Sequence, residues 1–243
     1  MKFSIVTVTF NCCDFLEETI ESVITQTFSD YEYIIIDACS TDGTLNIIKK
    51  YEQNISYWIS ETDNGIYDGM NKAIKVAKGD YIIFMNAGDS FYDDHVLQKV
   101  SDEIEDTIDV IFGDYISKTN KGNVYQHVTP FYESTKYLRQ MGFCHQSVFV
   151  RTTLARNNMF DLSFRFCADY NMIYNLFCQN ACFKQIDTPI CYYDNTGGLT
   201  AKNPYYQTKE VARVIGIDKQ IHFKLLNVLR LLKSKVKKVI QKK

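Results

Sequence analysis

Residues 3–9 (FSIVTVT) are apolar, serine or threonine at every position, a short run rich in β-branched residues that predicts a buried strand. Behind it, Leu16, Ile20, Val23 and Ile24 recur at helical spacing, with Asp14 as a plausible N-cap. The alternation then repeats. Residues 33–36 (YIII) read as a second strand, 44–51 as a short helix, 57–60 as a third strand, and 66–77 as a helix with Met70, Ile74 and Ala77 on one face. Residues 81–85 form a fourth apolar run that enters Asn86-Ala87-Gly88-Asp89.

Past Asp93 the pattern loosens. It predicts a helix over 96–104 and a strand over 109–112, then a loop-rich, aromatic stretch over 113–145. A strand over 146–150, a helix over 169–178 and two short strands within 183–193 follow. Regular β-α alternation implies an α/β fold: a doubly wound, mostly parallel sheet with helices on both faces. One domain is expected over 1–205, with a nucleotide-binding half (1–100) and an acceptor half (101–205), and a C-terminal helical extension over 206–243. In such sheets ligands bind beyond the carboxyl ends of the strands. Thr9-Phe10-Asn11, Asp37 and the 86–89 loop should therefore share one sheet edge.

The bulk numbers narrow the class. The chain has 243 residues, 46% hydrophobic and 23% charged, with three prolines, so it can bury a sizeable core and leaves no room for a long disordered linker. No run reaches the roughly 18 apolar residues of a membrane span, and residues 3–10 are too short and polar for a secretory leader. A cytoplasmic protein is expected. Among eight cysteines there is no CxxC pair; adjacent Cys12-Cys13 and the spacing of Cys178 and Cys182 suit reduced thiols rather than zinc or disulfides.

Charge is unevenly placed. Residues 224–243 hold eight basic side chains and no acid, so the rest of the chain carries −10 against −2 for the whole. Leu225, Val228, Leu229, Leu232, Val236, Val239 and Ile240 fall within about 120° on a helical wheel, with lysines to either side. An apolar stripe edged by lysine suits an anionic membrane surface, and residues 222–243 are the expected contact. Docking on the catalytic domain is the alternative. Nucleic acid is not expected as a partner, because aromatics are not interleaved with the basic residues.

Four pieces of the chain resemble family 2 glycosyltransferases, inverting enzymes of the GT-A fold, and look closest to small bacterial members that build capsule, exopolysaccharide and O-antigen. They are SIVTVTFN (4–11), DYEYIIIDACSTDGT (30–44), DNGIYDGMNKAIKVAKGDYIIFMNAGD (63–89), and CHQSVFVR with CADYNM (144–151 and 167–172). The likeness spans about residues 1–200. It implies a nucleotide-sugar donor, a glycan or lipid-linked saccharide acceptor, and a divalent cation, Mn or Mg.

Each candidate residue has a catalytic and a plain reading. Asp37 matches the family's aspartate that accepts a nucleobase N–H, with Thr9 and Phe10 beside the base and Asn11 closing the strand; otherwise it starts a turn. Asp42 either contacts nucleotide or caps the following helix. Asp68 and Lys72 lie in a segment the resemblance places near the donor pocket, and their i,i+4 spacing also suits an ordinary ion pair. Asp89 matches the metal-binding acid of the family's Asp-x-Asp, but here Ala87 stands two residues before it and Asn86 three before. One carboxylate can suffice, because Mg²⁺ uses one or two of them plus phosphates and waters. Asp169, at a helix N-terminus, matches the family's base and otherwise is an N-cap. His145 either meets the diphosphate or metal, or is structural.

The function expected is direct displacement of a nucleotide diphosphate by an acceptor hydroxyl. Asp169 is the base, Asp89 the metal ligand, and the site is peripheral to the inner membrane face. Two alternatives stand. A nucleotidyltransferase normally has a basic Gly-rich loop after its first strand, whereas here that place reads FNCCDFLEE. A non-catalytic nucleotide-sugar binder at the membrane surface would bind donor without releasing diphosphate.

Overall fold

The structure, a computed structural model, describes residues 1–128, 143–196 and 203–220. Strand β1 (Phe3–Thr9) is buried at all seven positions. It lies between β2 (Tyr31–Asp37) and β4 (Tyr81–Phe84), parallel to both, and β3 (Tyr57–Ser60) extends the parallel set beyond β2. A strand covered on both faces needs apolar side chains throughout, which is why FSIVTVT shows no polar alternation.

The two faces separate cleanly by residue parity. Val6, Val8, Ile34, Ile36, Ile82 and Phe84 face helix α3 (Ile66–Val76) through Met70, Ala73 and Ile74. Phe3, Ile5, Tyr33, Ile35, Tyr81 and Ile83 face α1 (Leu16–Ile24) through Leu16, Ile20 and Val23, and α4 (Val96–Asp102) through Val96 and Val100. The short helix α2 (Thr44–Lys50) connects β2 to β3. Beyond β4 the sheet continues with β8 (Val148–Arg151), β6 (Val110–Thr119), β9 (Phe183–Asp194) and β5 (Ser90–Phe91), while β7 (Gly122–Gln126) pairs with β6. Pairing in this half is mixed: β8 is antiparallel to β4 and to β6, and β9 is parallel to β6. Helices α5 (Thr152–Asn157), α6 (Ala168–Cys178) and α7 (Pro204–Val214) complete the fold.

Several expectations are corrected. Residues 183–194 form one strand. Pro189 cannot donate to a ladder, but it sits at a register shift opposite Asp114, where the bulge absorbs it. The stretch expected to be loop contains the rest of β6 and the β6–β7 hairpin; β7 is exposed along nearly its whole length and so shows no apolar period. Residues 145–147 form a single 3-10 turn rather than the start of β8. Asp14 does not cap α1; Phe15 is the N-cap, and the Cys12 carbonyl accepts the Phe15 and Leu16 N–H groups. All eight cysteines are free thiols. The basic tail expected to meet a membrane lies outside the described residues.

The register gathers the site. Thr9 stands opposite Asp37, and Asp37 opposite Ser60, while the Met85 N–H bonds the Val6 carbonyl. The ends of β1, β2, β3 and β4 thus open on one edge, as the alternation predicts. Entry into β4 depends on Gly79, where a Cβ would stand 2.4 Å from the Phe3 carbonyl carbon. Glu32 holds the same corner by accepting the Ser4 hydroxyl at 2.6 Å and the Gly79 N–H at 3.2 Å. Gly79→Ala must push β1 from β4, and a loss of about 1–3 kcal/mol is expected in a urea titration; a midpoint equal to that of the parent would disprove the close approach.

Candidate active site

The shared edge carries a cleft of about 540 Å³, lined by Val8, Thr9 and Phe10 after β1, Ala38 after β2, Gly65 and Ile66 at the start of α3, and Asn86 and Ala87 after β4. Its walls are mainly apolar. Phe10 is 59% exposed and Ile66 42%, unusual for such large side chains unless a flat ligand covers them. Two lining residues carry buried polar atoms without a hydrogen-bond partner, Thr9 Oγ1 and Asn86 Oδ1; Gln146 Oε1 and Thr152 Oγ1 are likewise unpartnered elsewhere. Buried polar atoms are normally paired, so a cluster of orphans at one sheet edge points to a ligand that completes them.

Several expected site residues build the walls instead. Asp37 is fully buried, accepting the Ser40 N–H at 2.9 Å, the Ser40 hydroxyl at 2.5 Å and the Ser60 hydroxyl at 2.6 Å. It is turned into its own loop, and its neighbour Ala38 faces the cleft. Asp42 takes its plain reading: it accepts the Thr44 N–H and hydroxyl at the start of α2 and the Cys13 N–H from across the edge, and these bonds hold its carboxyl well below the usual range. Asn11, at φ +50°, accepts the Thr41 N–H at 2.9 Å. Asp68 and Lys72 do not pair with each other. Asp68 accepts the Asn64 N–H at 2.9 Å, while Lys72 reaches Glu61 at 2.9 Å and the Thr62 carbonyl at 2.7 Å. Both fasten the strand-to-helix loop that carries Asp63 and Gly65 to the cleft.

Asp89 lies at the end of the 86–89 loop and is 5% exposed. The loop is pinned to α1 by Thr19, whose hydroxyl donates to the Asp89 carbonyl at 2.7 Å and accepts the Gly88 N–H at 3.0 Å. The Asp89 carboxylate faces the acceptor half, where it accepts the Gln146 amide at 2.7 Å and the Asp194 N–H at 2.8 Å. Burial raises its pKa to about 6 despite those two donors. Among the described residues no set of three or more His, Cys, Asp and Glu side chains is grouped to hold a metal. The oxygen chemistry nevertheless suits Mg²⁺ or Mn²⁺. Asp89 keeps spare lone pairs, and the orphan Asn86 Oδ1 is a hard neutral ligand three residues away.

Asp169 stands in the first turn of α6 rather than at its N-cap, which is Cys167. Its carboxylate accepts the Tyr67 hydroxyl of α3 at 2.9 Å and lies 3.2 Å from His145 Nδ1. Burial pushes this carboxyl up. Hydrogen bonds from His145, the Tyr170 N–H and the Tyr67 hydroxyl outweigh that and hold it below the usual carboxylate range. His145 Nε2 meets Asn86 Nδ2 at 2.9 Å. With Asn86 donating, the imidazole carries its proton on Nδ1 and donates it to Asp169. A chain of four side chains, Tyr67–Asp169–His145–Asn86, therefore joins the acceptor half to the mouth of the cleft. Tyr67 was not singled out from the sequence, because its place in the amphipathic pattern of 66–77 makes it look like core.

The model of glycosyl transferase family 2 matches residues 4–175. The chain belongs to glycosyl transferase family 2. Every candidate residue from Thr9 to Asp169 lies inside the match. A PGL/p-HBAD biosynthesis glycosyltransferase of Mycobacterium bovis (strain BCG / Pasteur 1173P2) is 28% identical over 208 residues, covering 82% of this chain and 78% of that protein. The putative teichuronic acid biosynthesis glycosyltransferase TuaG of Bacillus subtilis is 36% identical over 94 residues, 37% of each chain. Among solved structures, S. aureus TarS 1-349 in complex with UDP-GlcNAc superposes with a TM-score of 0.71 at 21% identity, over 90% of this chain and 66% of that one. The mannosyltransferase PcManGT of Pyrobaculum calidifontis, in complex with GDP-Man and Mn²⁺, gives 0.67 at 14% identity, over 88% of this chain and 62% of that one. This family 2 glycosyltransferase thus shares their GT-A fold and spans about two thirds of their length.

The elevated carboxyl in this glycosyltransferase has a thermodynamic signature. Asp89 holds its proton more tightly folded (pKa about 6) than unfolded (near 3.8). The folded state therefore binds more protons between those values, and the group costs stability increasingly as pH rises from about 4 through 6. In chelator-treated protein, Asp89→Asn removes that slope, so the variant gains on the parent as pH climbs across this window. Urea titrations at pH 4.5 and 7 check it; a parent-to-variant difference that ignores pH would refute the buried, proton-holding carboxyl.

Proposed function

We propose that this enzyme transfers a sugar, with inversion, from a nucleotide sugar in the cleft to a hydroxyl of a growing cell-surface glycan. The observation that carries the reading is the Tyr67–Asp169–His145–Asn86 chain, which fixes an ionised carboxylate beside the end of an apolar cleft rich in unpaired oxygens. The nucleobase lies against Phe10, with Thr9 Oγ1 and the Ala38 backbone as polar partners. The diphosphate points toward Asn86 and Asp89, which would hold a divalent cation there. When bound, that cation neutralises charge on the departing diphosphate. The acceptor oxygen attacks the anomeric carbon from the face opposite the diphosphate, the bond from that carbon to the diphosphate oxygen breaks, and the acceptor proton passes to Asp169. His145 and Tyr67 keep the carboxylate aimed and ionised.

The relatives' printed names support a cell-envelope acceptor, as does the basic tail over 222–243, which suits an anionic membrane bearing a lipid-linked saccharide. No helix among the described residues is long and apolar enough to cross a membrane. Capsule and O-antigen are the acceptor classes in mind. A binder without turnover is the rival, favoured by the two hydrogen bonds that already occupy the Asp89 carboxylate.

Thermal-shift measurements with UDP, GDP, UDP-GlcNAc and GDP-mannose, each with Mn²⁺, select the donor; a ligand at 100 times its dissociation constant adds about 2.7 kcal/mol. Slow release of free diphosphate from that donor is expected, and binding without any release would establish the binder. Asp169→Asn should keep the nucleotide-induced shift and lower turnover by at least about 100-fold, the lower range for a general base; normal turnover would remove Asp169 from the chemistry. Deleting 222–243 should abolish co-sedimentation with anionic vesicles, and unchanged sedimentation would point to another anchor.

A further inference from the structure

Three consecutive backbone N–H groups immediately before α6 point at one carboxylate. Glu210, on α7, accepts the Arg165 N–H at 2.9 Å on one oxygen, and the Phe166 and Cys167 N–H groups at 2.8 and 3.0 Å on the other. A helix start leaves its first N–H groups without intrahelical partners, and an N-cap side chain usually serves them. Here the N-cap is Cys167, which makes no side-chain cap bond. Glu210, from another helix, instead accepts the N–H of the N-cap residue Cys167 and the two N–H groups before it, with charge-assisted bonds to the turn that leads into α6. Two residues after Cys167 comes Asp169.

We infer that Glu210 is a positioning residue for glycosyl transfer: by gathering the 165–167 N–H groups it sets the direction of the first turn of α6, and so the aim of the Asp169 carboxylate. The inference rests on the reading of Asp169 as the base. Glu210 acts through the backbone, whose three N–H groups it gathers at the entry to α6. It also lies beyond residues 4–175, outside the part of the chain that the family model matches.

The same face of α7 grips the segment at two other places. Tyr206 stacks on Phe166 with ring centroids 6.2 Å apart. Arg213 packs its guanidinium 3.9 Å from the Phe164 ring centroid, bonds the Ser163 carbonyl at 3.2 Å and lies 3.6 Å from Asp161. Arg213 therefore fastens the far end of the loop, whereas Glu210 fastens the end that becomes α6. The difference separates a positioning role from a merely structural one.

The test compares Glu210→Ala, Glu210→Gln, Arg213→Ala and Asp169→Asn in the full chain at 25 °C. Its readouts are steady-state release of the nucleoside diphosphate (UDP from UDP-GlcNAc) with Mn²⁺, or from the donor giving the larger thermal shift, and amide hydrogen exchange over 165–171. A misplacement of about 1 Å at a reacting group costs on the order of 100-fold. Glu210→Ala should therefore lower kcat by roughly 10- to 100-fold and leave the donor KM within about threefold. Glu210→Gln, whose carbonyl oxygen can still accept the Phe166 and Cys167 N–H groups, should recover most of kcat. Arg213→Ala should lower the melting temperature yet keep kcat within about twofold, the range expected when catalytic geometry is intact.

Amide exchange does not need turnover. Glu210→Ala should accelerate exchange through Asp169–Asn171, including the Asn171 N–H that bonds the Cys167 carbonyl. The inference is overturned if Glu210→Ala retains parental kcat, if Arg213→Ala loses as much, or if faster exchange stays confined to 165–167. Normal turnover in Asp169→Asn would instead defeat the base assignment. An inactive Asp169→Asn beside a fully active Glu210→Ala would defeat the positioning role alone.

Discussion

The in-register parallel pairing of β1 with β2 and β4 is the constraint on which the rest of the site depends. It places Thr9 opposite Asp37 and brings Met85 back to Val6, so that three loops far apart in sequence leave the sheet together. A parallel strand covered on both faces has no polar face to set its register, and side-chain parity alone would tolerate a two-residue slip. The polar groups at the two ends of β1 remove that freedom. At the entry Glu32 ties Ser4 to Gly79; at the exit Asp37 ties Ser40 to Ser60, and Asp42 ties Cys13 to Thr44. These carboxylates, Glu32 and Asp37 buried and Asp42 at the surface, do the work of loop architecture. That explains why Asp37 is turned away from the cleft it borders.

The two acids on the acceptor side of the edge, Asp89 and Asp169, are pushed in opposite directions. Asp89 receives two neutral donors in a tightly enclosed place, and burial wins. Asp169 receives a tyrosine hydroxyl, a backbone N–H and an imidazole N–H, and the donors win over burial. The two carboxyls thus differ in what surrounds them: burial raises Asp89 to about 6, and donors hold Asp169 below the usual range. A cation near Asp89 would reverse its preference, because positive charge favours the carboxylate. Asp89 is therefore poised to respond to what binds beside it, whereas Asp169 is already set.

Legibility in the sequence followed how local each signal was. The four parallel strands and their helices were readable because fully buried strands appear as continuous apolar runs, and because α1 and α3 show helical periods without interruption. The common edge then followed from topology alone. The acceptor half was harder for identifiable reasons. Pro189 hid the continuity of β9 by sitting at a bulge, and solvent-facing β7 has no apolar period. At the site, the motifs could not say which partners each carboxylate takes: Asp37 and Asp42 accept from nearby backbone N–H groups and hydroxyls, and Lys72 pairs with Glu61. Tyr67 and Glu210 were invisible, since their partners lie 102 and about 45 residues away in the chain.

Those distant partners show how the halves of the molecule are coupled. The family match ends at residue 175, yet both acids are finished by residues beyond it: Asp89 by the Asp194 N–H at the end of β9, and the approach to Asp169 by Glu210 on α7. Conversely, Asp169 reaches back to Tyr67 on α3, and His145 to Asn86 at the end of β4. Each group with a chemical task is thus held from both halves at once. Such cross-bracing restrains a carboxylate more tightly than either half could alone, since a rotation of one half against the other must break charge-assisted or buried hydrogen bonds. It also makes acceptor-side geometry sensitive to the donor side. A ligand that satisfies Asn86 Oδ1 acts on the same amide that fixes the His145 ring, and through it on Asp169. A donor contact at Asn86 would therefore be linked to the aim of the Asp169 carboxylate through a single asparagine, next to Ala87, where the sequence departs from a paired-acid motif.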